Sequence, residues 1–388
     1  MTAPLTAPLT AAEQKSGTWL GRLWNPEVHG PSLVTIRDGA LFDITAKAAP
    51  TVSAILERDD PADYVRTAPG TALRRLDTLA ANTVGGLSQP HMLAPCDLQV
   101  IKAAGVTFAR SMVERVIEER AAGDLKAADA IRARIGDSIG HSLANIIPGS
   151  AQAAALKQTL IREGLWSQYL EVGIGPDAEV FTKAPVLAAV GHGADVGLHP
   201  VSTWNNPEPE VVVAVNAQGK VQGACLGNDV NLRDVEGRSA LLLSKAKDNN
   251  ASAAIGPFIR LFDDDFRLSD VEQIEVSMKV TGEDGFVMSG QSNLSEISRP
   301  VREIVRQTIG SHHQYPDGFM LYTGTMFAPT KDRDTPGEGF THKLGDIVEI
   351  SAPGLGTLAN RVQDATAIAP WDFGLQQFMR NLAQRGLL

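Results

Sequence analysis

Short apolar runs separated by Gly, Pro, Asn and Asp dominate the chain from about residue 169 to residue 362. Runs of this length between turn residues predict β-strands. The strands are expected in EVFTKAP, EVVVAV, GACLG, IEVSMKV, FMLYTG and DIVEISA, with one helical patch, GRSALLLSKAK, among them. Because these strands do not alternate with helices, the pattern favours a β-sandwich or rolled barrel over repeated βαβ units.

The first part of the chain mixes strand-like and helical periods. Four apolar residues recur at helical spacing and predict a helix over about 109–122: Met112, Val113, Val116 and Ile117. Helices are also expected in TVSAILERD, DLKAADAIRARIG and AQAAALKQTLIREG, and an amphipathic helix in WDFGLQQFMRNLAQRGL near the C-terminus. We therefore predict an α+β protein in which helices lie around a β-sheet core.

Two stretches of unusual composition suggest where the chain divides. The repeat TAPLTAPL opens the sequence, and GGLSQPHMLAP, rich in Gly and Pro, has the composition of a linker. We predict a flexible tail at 1–16, a small β-rich N-terminal domain at 17–93 and a catalytic domain at 94–388.

Composition excludes several classes of function. The 388 residues carry a net charge of −10 without a dense Lys/Arg cluster, which argues against a nucleic-acid partner. No apolar stretch approaches the roughly 20 residues that cross a bilayer, and the N-terminus lacks the pattern of a signal peptide. Two cysteines are too few for a disulfide framework. We therefore expect a cytoplasmic protein without a membrane partner.

The stretch NPEPEVV places two carboxylates at the entrance of the most strand-like run. Alternate side chains of a strand share a face, so Glu208 and Glu210 are expected on one side of it. Pro207 and Pro209 fit a strand start, since proline cannot donate to the sheet in a strand interior. The following VVVAV is apolar on both faces, which predicts a covered strand.

A hairpin returning through NAQG brings a third carboxylate towards this pair. If it is centred on Ala217 and Gln218, Glu208 faces Gly227 and Asp229 lies diagonal to Glu208. Three carboxylates at that spacing suit a hard cation such as Mg²⁺, Mn²⁺ or Ca²⁺. The alternative is that Glu208 and Glu210 are solvated charges at a sheet edge, and spacing alone does not decide between the two.

These residues, taken with others along the chain, resemble the fumarylacetoacetate hydrolase superfamily. The resemblance rests on Glu208-Pro-Glu210, on the segment NDVNLRD that begins at Asn228, and on Lys247 ahead of Gly256-Pro257-Phe258. It covers about residues 96–365 and is closest to the branch of bacterial 2-keto-3-deoxy-D-xylonate dehydratases. It implies a mixed β-sandwich roll with peripheral helices, preceded by a smaller β-rich domain.

The resemblance also implies roles for single residues. It implies that Glu208, Glu210 and Asp229 are ligands of a divalent ion. The expected ion is Mg²⁺, with Mn²⁺ and Ca²⁺ as alternatives, and no organic cofactor is implied. The implied substrate-binding residues are Arg233, Thr325 and Glu236, the last standing where many hydrolases carry Gln. Lys247 corresponds to a lysine beside the substrate carbonyl.

One departure from the family pattern bears on the reaction. Hydrolytic relatives carry a His three residues before a Glu at the start of the first core helix, and here the pair is Ser111 and Glu114. Imidazole titrates near neutrality and activates water, whereas serine does not do so unaided. We expect Lys247 or Glu114 to move protons, with the pKa of Lys247 lowered by the ion and Arg233, and Ser111 to bind substrate or water.

The expected reaction is the dehydration of a 2-keto-3-deoxy sugar acid, derived from D-xylonate or L-arabinonate, to 2-oxoglutarate semialdehyde through a metal-stabilised enolate. The alternatives are hydrolysis of C–C bonds in acylpyruvates and a catalytically silent relative. Three further polar residues are candidates for the substrate site: His313, Asn293 and Ser295. The expected partner is a small 2-keto acid, and we expect a homodimer or homotetramer.

Overall fold

The computed structural model describes residues 6–79, 86–122, 124, 127, 131, 143, 146–326, 329, 331–334 and 339–388. The predicted helix DLKAADAIRARIG lies for the most part outside these residues. The strands are β1 (Trp19–Asn25), β2 (Gly30–Arg37), β3 (Ala40–Asp43), β4 (Thr71–Arg75), β5 (His91–Leu93), β6 (Val100–Gly105), β7 (Glu179–Ala184), β8 (Asp195–Leu198), β9 (Pro209–Val215), β10 (Val221–Asp229), β11 (Ala253–Leu261), β12 (Glu275–Thr281), β13 (Val287–Asn293), β14 (Phe319–Tyr322), β15 (Ile347–Ala352) and β16 (Gly356–Asp364).

Helices lie around these strands, and several of them are short. The α-helices are α1 (Glu13–Ser16), α2 (Val52–Leu56), α3 (Pro61–Thr67), α4 (Ala109–Ala121), α5 (Ala151–Arg162), α6 (Gln168–Ile174), α7 (Arg233–Glu236), α8 (Leu243–Lys247), α9 (Leu268–Val271), α10 (Val301–Thr308) and α11 (Leu375–Gln384). Among the described residues, none of the helices combines the length and the apolar character that crossing a bilayer requires.

Two sheets carry the fold. The larger one has the order β4-β3-β2-β1-β11-β10-β9-β14-β6-β7, with β5 also paired to β1, and the second has the order β13-β12-β15-β16-β8. Neighbours are antiparallel except β14 with β6 and β16 with β8. The α+β class with packed sheets and peripheral helices is confirmed.

The strand β9 is covered on both faces, as its sequence predicts. Val211, Val213 and Val215 belong to the main core together with residues of the second sheet, such as those of β12. Val212 and Ala214 point the other way, into a separate apolar cluster that includes residues of α2 and α3. Glu210 shares the parity of this second face, so the carboxylates lie on the side of β9 that faces away from the second sheet.

The register of the β9–β10 hairpin differs from the prediction. Gly227, not Cys225, pairs with Glu210, and the Asp229 amide donates to the Glu208 carbonyl at 3.0 Å. Asp229 is thus directly opposite Glu208 instead of diagonal to it, and the predicted register is wrong by two residues. Because a shift of two positions leaves every side chain on its original face, the carboxylates still converge.

The turn explains the shifted register. The Asn216 amide donates to the Lys220 carbonyl, and the Asn216 side chain accepts from the Gln218 and Lys220 amides. This local bonding makes a longer turn than the predicted two-residue one, and a bulge between Val221 and Gly223 shifts the pairing further. Neither feature follows from the hydrophobic pattern.

Both ends of the described chain pack against the body. Leu9 is buried, and the Pro8 carbonyl accepts from Thr357 of the second sheet. Near the other end, the Asn381 amide of α11 donates to the Val28 carbonyl beside β2. The strand β1 pairs with β11 across the predicted boundary at residue 93. The boundaries at 16 and 93 stay predictions.

Candidate metal centre

Three carboxylates converge at the mouth of the β9–β10 hairpin. Glu208 and Glu210 enter β9 and Asp229 ends β10, and their exposed fractions are 3%, 1% and 2%. One oxygen from each lies within 4.8 Å of the others. We call these three residues the acidic cluster. Because all three are buried, the alternative of solvated edge charges is wrong.

Two lysines reach the acidic cluster from other elements. Lys247, the last residue of α8, places Nζ 2.5 Å from Glu208 Oε2 and 3.0 Å from Asp229 Oδ2. Lys183 of β7 places Nζ 2.9 Å from Asp229 Oδ1, an ion pair whose orientation is not that of a hydrogen bond. Its Nζ also donates to the Val230 carbonyl at 3.1 Å. The lysines therefore flank the cluster on opposite oxygens of Asp229.

Arg115 is a third cation, and sequence reasoning missed it. It projects from α4, is 8% exposed, and lies with Nη2 2.5 Å from Glu208 Oε1 and Nη1 2.8 Å from Glu236 Oε2. The sequence predicts that Glu114 of this helix acts at the site. The next residue, Arg115, makes the contact with the acidic cluster instead. The helical pattern alone gives no signal that separates the two positions.

Glu179 is a fourth carboxylate near the cluster that sequence reasoning missed. It opens β7 and lines the same small cavity as the acidic cluster. A Cβ atom at Gly105, its partner on β6, would overlap the Glu179 carboxylate, so glycine makes room for it. Glu179 opens the strand that carries Lys183, but a bulge at Lys183 interrupts the alternation of side chains, so strand parity does not identify it from the sequence.

The buried charges do not balance. Among the described residues, five carboxylates meet three cations here, which leaves two formal negative charges. The carboxylates are Glu179, Glu208, Glu210, Asp229 and Glu236, and the cations are Arg115, Lys183 and Lys247. Such an excess of buried charge is costly unless a cation joins it, and one divalent ion would neutralise it.

The pKa values of the acids reflect this crowding. Burial, followed by repulsion from Asp229 and Glu208, raises the pKa of Glu210 well above its ordinary value. Burial, with repulsion from Glu236, raises the pKa of Glu179 to about 7. Both shifts mean that the charged form of each acid is disfavoured in this poorly solvated space beside other carboxylates.

The pKa of Lys247 differs in direction from the expectation. Burial lowers it, but the Asp229 and Glu208 carboxylates raise it more, so the net pKa lies above the ordinary value. The lowering expected from a bound ion stays a prediction, since the carboxylates that raise the pKa here are those that an ion would bind. Lys247 stays charged beside these carboxylates.

The donor set fits a hard divalent cation. Glu208, Glu210 and Asp229 each offer one oxygen to a common point, and oxygen ligands of this kind suit Mg²⁺, Mn²⁺ or Ca²⁺. The excess of negative charge around the cavity also favours a divalent cation. These three residues would hold it, with Arg115 and Lys183 outside them.

The predicted substrate residues divide into two groups. Thr325, after β14, and Glu236, on α7, line the cavity of the acidic cluster. Arg233 is buried, places Nη2 3.2 Å from Glu114 Oε2, and stacks over the Trp204 ring at 4.5 Å. Glu114 is thus held by an arginine, and the cavity wall next to the carboxylates is made by Arg115.

The other candidates make local contacts. The buried Ser111 hydroxyl donates to the Phe108 carbonyl at 2.8 Å, within the first turn of α4. Asn293 and Ser295 form a turn after β13, where the Asn293 side chain accepts from the Ser295 amide. His313 is exposed and packs on Tyr315. None of these described contacts joins the acidic cluster, and the substrate roles of these residues stay predictions.

Two curated proteins are similar to this chain in sequence. One is the 2-dehydro-3-deoxy-D-arabinonate dehydratase of Saccharolobus solfataricus, 31% identical over 185 residues that cover 48% of this chain and 58% of that protein. The other, from Haloferax volcanii, is named "probable 2-keto-3-deoxyxylonate dehydratase" and is 31% identical over 194 residues, 50% of this chain and 63% of that protein. The chain thus spans about three fifths of the length of each.

The fold is similar to that of a solved structure of 2-keto-3-deoxy-D-arabinonate dehydratase complexed with magnesium and 2,5-dioxopentanoate. The TM-score is 0.60 at 20% identity, and the match covers 89% of this chain and 99% of that one. Residues 171–363, which include the hairpin, Lys183 and Lys247, match the family model described as fumarylacetoacetate (FAA) hydrolase C-terminal. This segment, which makes up just under half of the chain, is thus similar to that family.

Proposed function

We propose that the protein dehydrates a 2-keto-3-deoxy sugar acid, derived from D-xylonate or L-arabinonate, to 2-oxoglutarate semialdehyde with the help of a divalent cation, Mg²⁺ first among the candidates. The observation that carries the proposal is the buried acidic cluster, which shares one cavity with Lys247, Thr325 and Glu179. Charged groups of both signs thus surround a site in which a small anionic substrate can bind.

The relatives support the sugar-acid class. Both curated proteins are named dehydratases of 2-keto-3-deoxy pentonates. The similar solved structure holds magnesium and 2,5-dioxopentanoate, the compound also called 2-oxoglutarate semialdehyde. Since the matched segments cover 58% and 63% of the curated proteins, their activity is extended to this chain as a proposal.

The reaction needs a way to remove a proton from C3 of the substrate. Glu208, Glu210 and Asp229 would hold a divalent ion, which would make the C3 protons of a bound 2-keto acid more acidic by stabilising the negative charge that develops when one is removed. Glu179 is suited to accept that proton, because it lines the cavity and its pKa of about 7 lies near neutrality. Glu114 is less suited, since Arg233 already holds its carboxylate.

The remaining groups in the cavity have complementary tasks. The Lys247 ammonium can donate to the oxygen on which negative charge develops, because its raised pKa keeps it protonated. The Thr325 hydroxyl can bind the substrate carboxylate. The C4–O bond then breaks, the hydroxyl takes up a proton and leaves as water, and a C3=C4 double bond conjugated to the keto group remains. Removal of a C5 proton and protonation of C3 shift this double bond to C4=C5, and the resulting enol tautomerises to the semialdehyde.

Hydrolysis of a C–C bond is the rival reaction within the same family. It would need a base to activate water in the position of Ser111. The Ser111 hydroxyl donates to the Phe108 carbonyl and is buried, which supports a role in the helix turn. This contact favours dehydration over hydrolysis.

Product analysis separates the alternatives. The protein is incubated with each 2-keto-3-deoxypentonate and Mg²⁺, with an EDTA-treated sample as control, and the products are identified by mass spectrometry. We expect one product that is lighter than the substrate by one water, and only with the ion present. Two carbon fragments would indicate the hydrolase, and an unchanged substrate would contradict catalysis. The two enantiomers, which differ at C4, are compared by kcat/KM to find the preferred sugar acid.

Two further properties belong to the proposal. A reducing compartment such as the cytoplasm fits Cys96 and Cys225, which are both buried and unpaired. A homodimer or homotetramer is proposed from the family resemblance, and sedimentation velocity would test it.

A further inference from the structure

Arg115 joins two carboxylates that come from different parts of the chain. Its Nη2 lies 2.5 Å from Glu208 Oε1, at the entrance of β9, and its Nη1 lies 2.8 Å from Glu236 Oε2, at the end of α7. The side chains of all three are less than a tenth exposed. The guanidinium is planar and presents its donors in a fixed fork, so contact with both carboxylates fixes its plane.

This contact makes the two oxygens of Glu208 unequal. Oε1 accepts from Arg115, which also holds Glu236, while Oε2 accepts from Lys247, which also donates to Asp229 Oδ2 within the acidic cluster. A carboxylate with two free oxygens can take a divalent ion with one or both of them. The bond from Arg115 engages Oε1 outside the acidic cluster, and Oε2 is the oxygen that shares a donor with Asp229.

We propose that Arg115 is a positioning residue that keeps Glu208 a one-oxygen ligand and so preserves open positions on the ion. Mg²⁺ and Mn²⁺ take about six ligands, so three one-oxygen carboxylates leave roughly three positions for water or substrate. A 2-keto acid that binds through two oxygens needs two of them. If Glu208 bound through both oxygens, one of these positions would be lost.

Glu236 completes this arrangement. Its carboxylate holds the second Nη group of Arg115 and supplies a compensating charge, so the guanidinium is directed to a single oxygen of Glu208. Replacing Glu236 by Gln keeps an acceptor but removes the charge, and should weaken the positioning without abolishing it. The inference rests on the proposed metal site and not on the choice of sugar acid.

The test counts water on the ion without any substrate. Mn²⁺ is added to the full chain and to R115Q, R115K and E236Q, and exchangeable water is counted by proton relaxation. R120Q is the matched control, because Arg120 lies on the same helix but is exposed and donates to the Gly164 carbonyl. Melting curves of the ion-free proteins identify variants that do not fold.

We expect R115Q to bind Mn²⁺ with about one exchangeable water fewer than the unaltered protein. The water counts of R115K and E236Q should lie between these two values. Pyruvate, a minimal 2-keto acid, should bind Mn²⁺-loaded R115Q roughly tenfold more weakly. An unchanged water count in R115Q and R115K would overturn the positioning role and leave the dehydratase proposal standing. Failure of the unaltered protein to bind Mn²⁺ would overturn both.

Discussion

Two polar clusters in this protein differ in how their carboxylates are stabilised. Around the acidic cluster, carboxylates outnumber cations and burial with repulsion raises the pKa of Glu210. The second cluster, which we call the loop cluster, consists of Asp284, Arg333, His342 and Asp346. There Arg333 binds both oxygens of Asp346 at 2.6 and 2.7 Å and Asp284 at 3.1 Å.

The pKa values show the same contrast. Burial raises the pKa of Asp346, but hydrogen bonds from Arg333 and His342 lower it more, so the net shift is downward. Asp346 is therefore stabilised as an anion by the protein itself. Glu210 is not stabilised as an anion in this way, although the backbone amide of Gly324 donates to its carboxylate at 2.7 Å. The comparison teaches that a buried acid with satisfied charge belongs to the architecture, whereas buried acids in excess indicate a site for a cation.

Removing a ligand of the acidic cluster should have the largest effect. Asp229→Asn is expected to lower Mg²⁺ affinity and turnover at least about 1,000-fold, because a neutral amide is a poor ligand for a hard cation. Calorimetric titration with Mg²⁺ and a turnover assay measure the two effects. Asp284→Asn in the loop cluster is the control and should leave both unchanged. Ordinary Mg²⁺ affinity in Asp229→Asn would contradict the metal centre.

Substitution of Lys247 separates the effect on turnover from the effect on ion binding. Lys247→Met is expected to reduce turnover by roughly 1,000-fold while Mg²⁺ still binds, since the carboxylates remain and a positive charge near them is removed. The matched change in the loop region, Lys343→Met, should retain full turnover, because Lys343 contacts the exposed part of that cluster. Retained turnover in Lys247→Met would exclude its proposed role.

Glu179 should control the pH dependence. A base must be ionised, so kcat/KM is expected to rise with pH through an apparent pKa at or below about 7, the lower values arising because a bound cation favours the carboxylate. Glu179→Gln should lower kcat by roughly 100-fold and remove this step from the profile. Glu171→Gln, on an exposed pair with Lys157, is the control. An unchanged pH profile in Glu179→Gln would exclude it as the base.

The loop cluster should affect stability and not ion binding. Asp346→Asn is expected to lower the free energy of unfolding by about 2 kcal/mol, because Arg333 loses a buried, doubly bonded partner but keeps Asp284. Urea unfolding measures this change, and Mg²⁺ titration should give the affinity of the unaltered protein. A stability loss accompanied by a matching loss of Mg²⁺ affinity would show that the two clusters are coupled.

Local patterns predicted much of the fold. The helix over 109–122 appears as Ala109–Ala121, and the predicted strand at EVVVAV is β9, buried along its length. These elements follow from apolar spacing and from proline at the strand start. The hairpin register did not follow, because it depends on the turn bonds of Asn216 and on a bulge that the apolar pattern does not specify.

The sequence by itself determined that Glu208 and Glu210 share one face, since side chains alternate along a strand whatever surrounds it. It also placed Asp229 on that face, because a two-residue error in register preserves parity. The resemblance added the expectation of an ion and of Lys247 beside it.

Only the tertiary structure decided which other charges meet the acidic cluster. Arg115 is 93 residues from Glu208, and Glu179 arrives on β7 through the pairing of β7 with β6. Contacts over such separations depend on how helices and strands pack, which no local period encodes. The physical reason is that strand parity is a property of one segment, whereas the charge balance of a buried site is a property of every segment that closes around it.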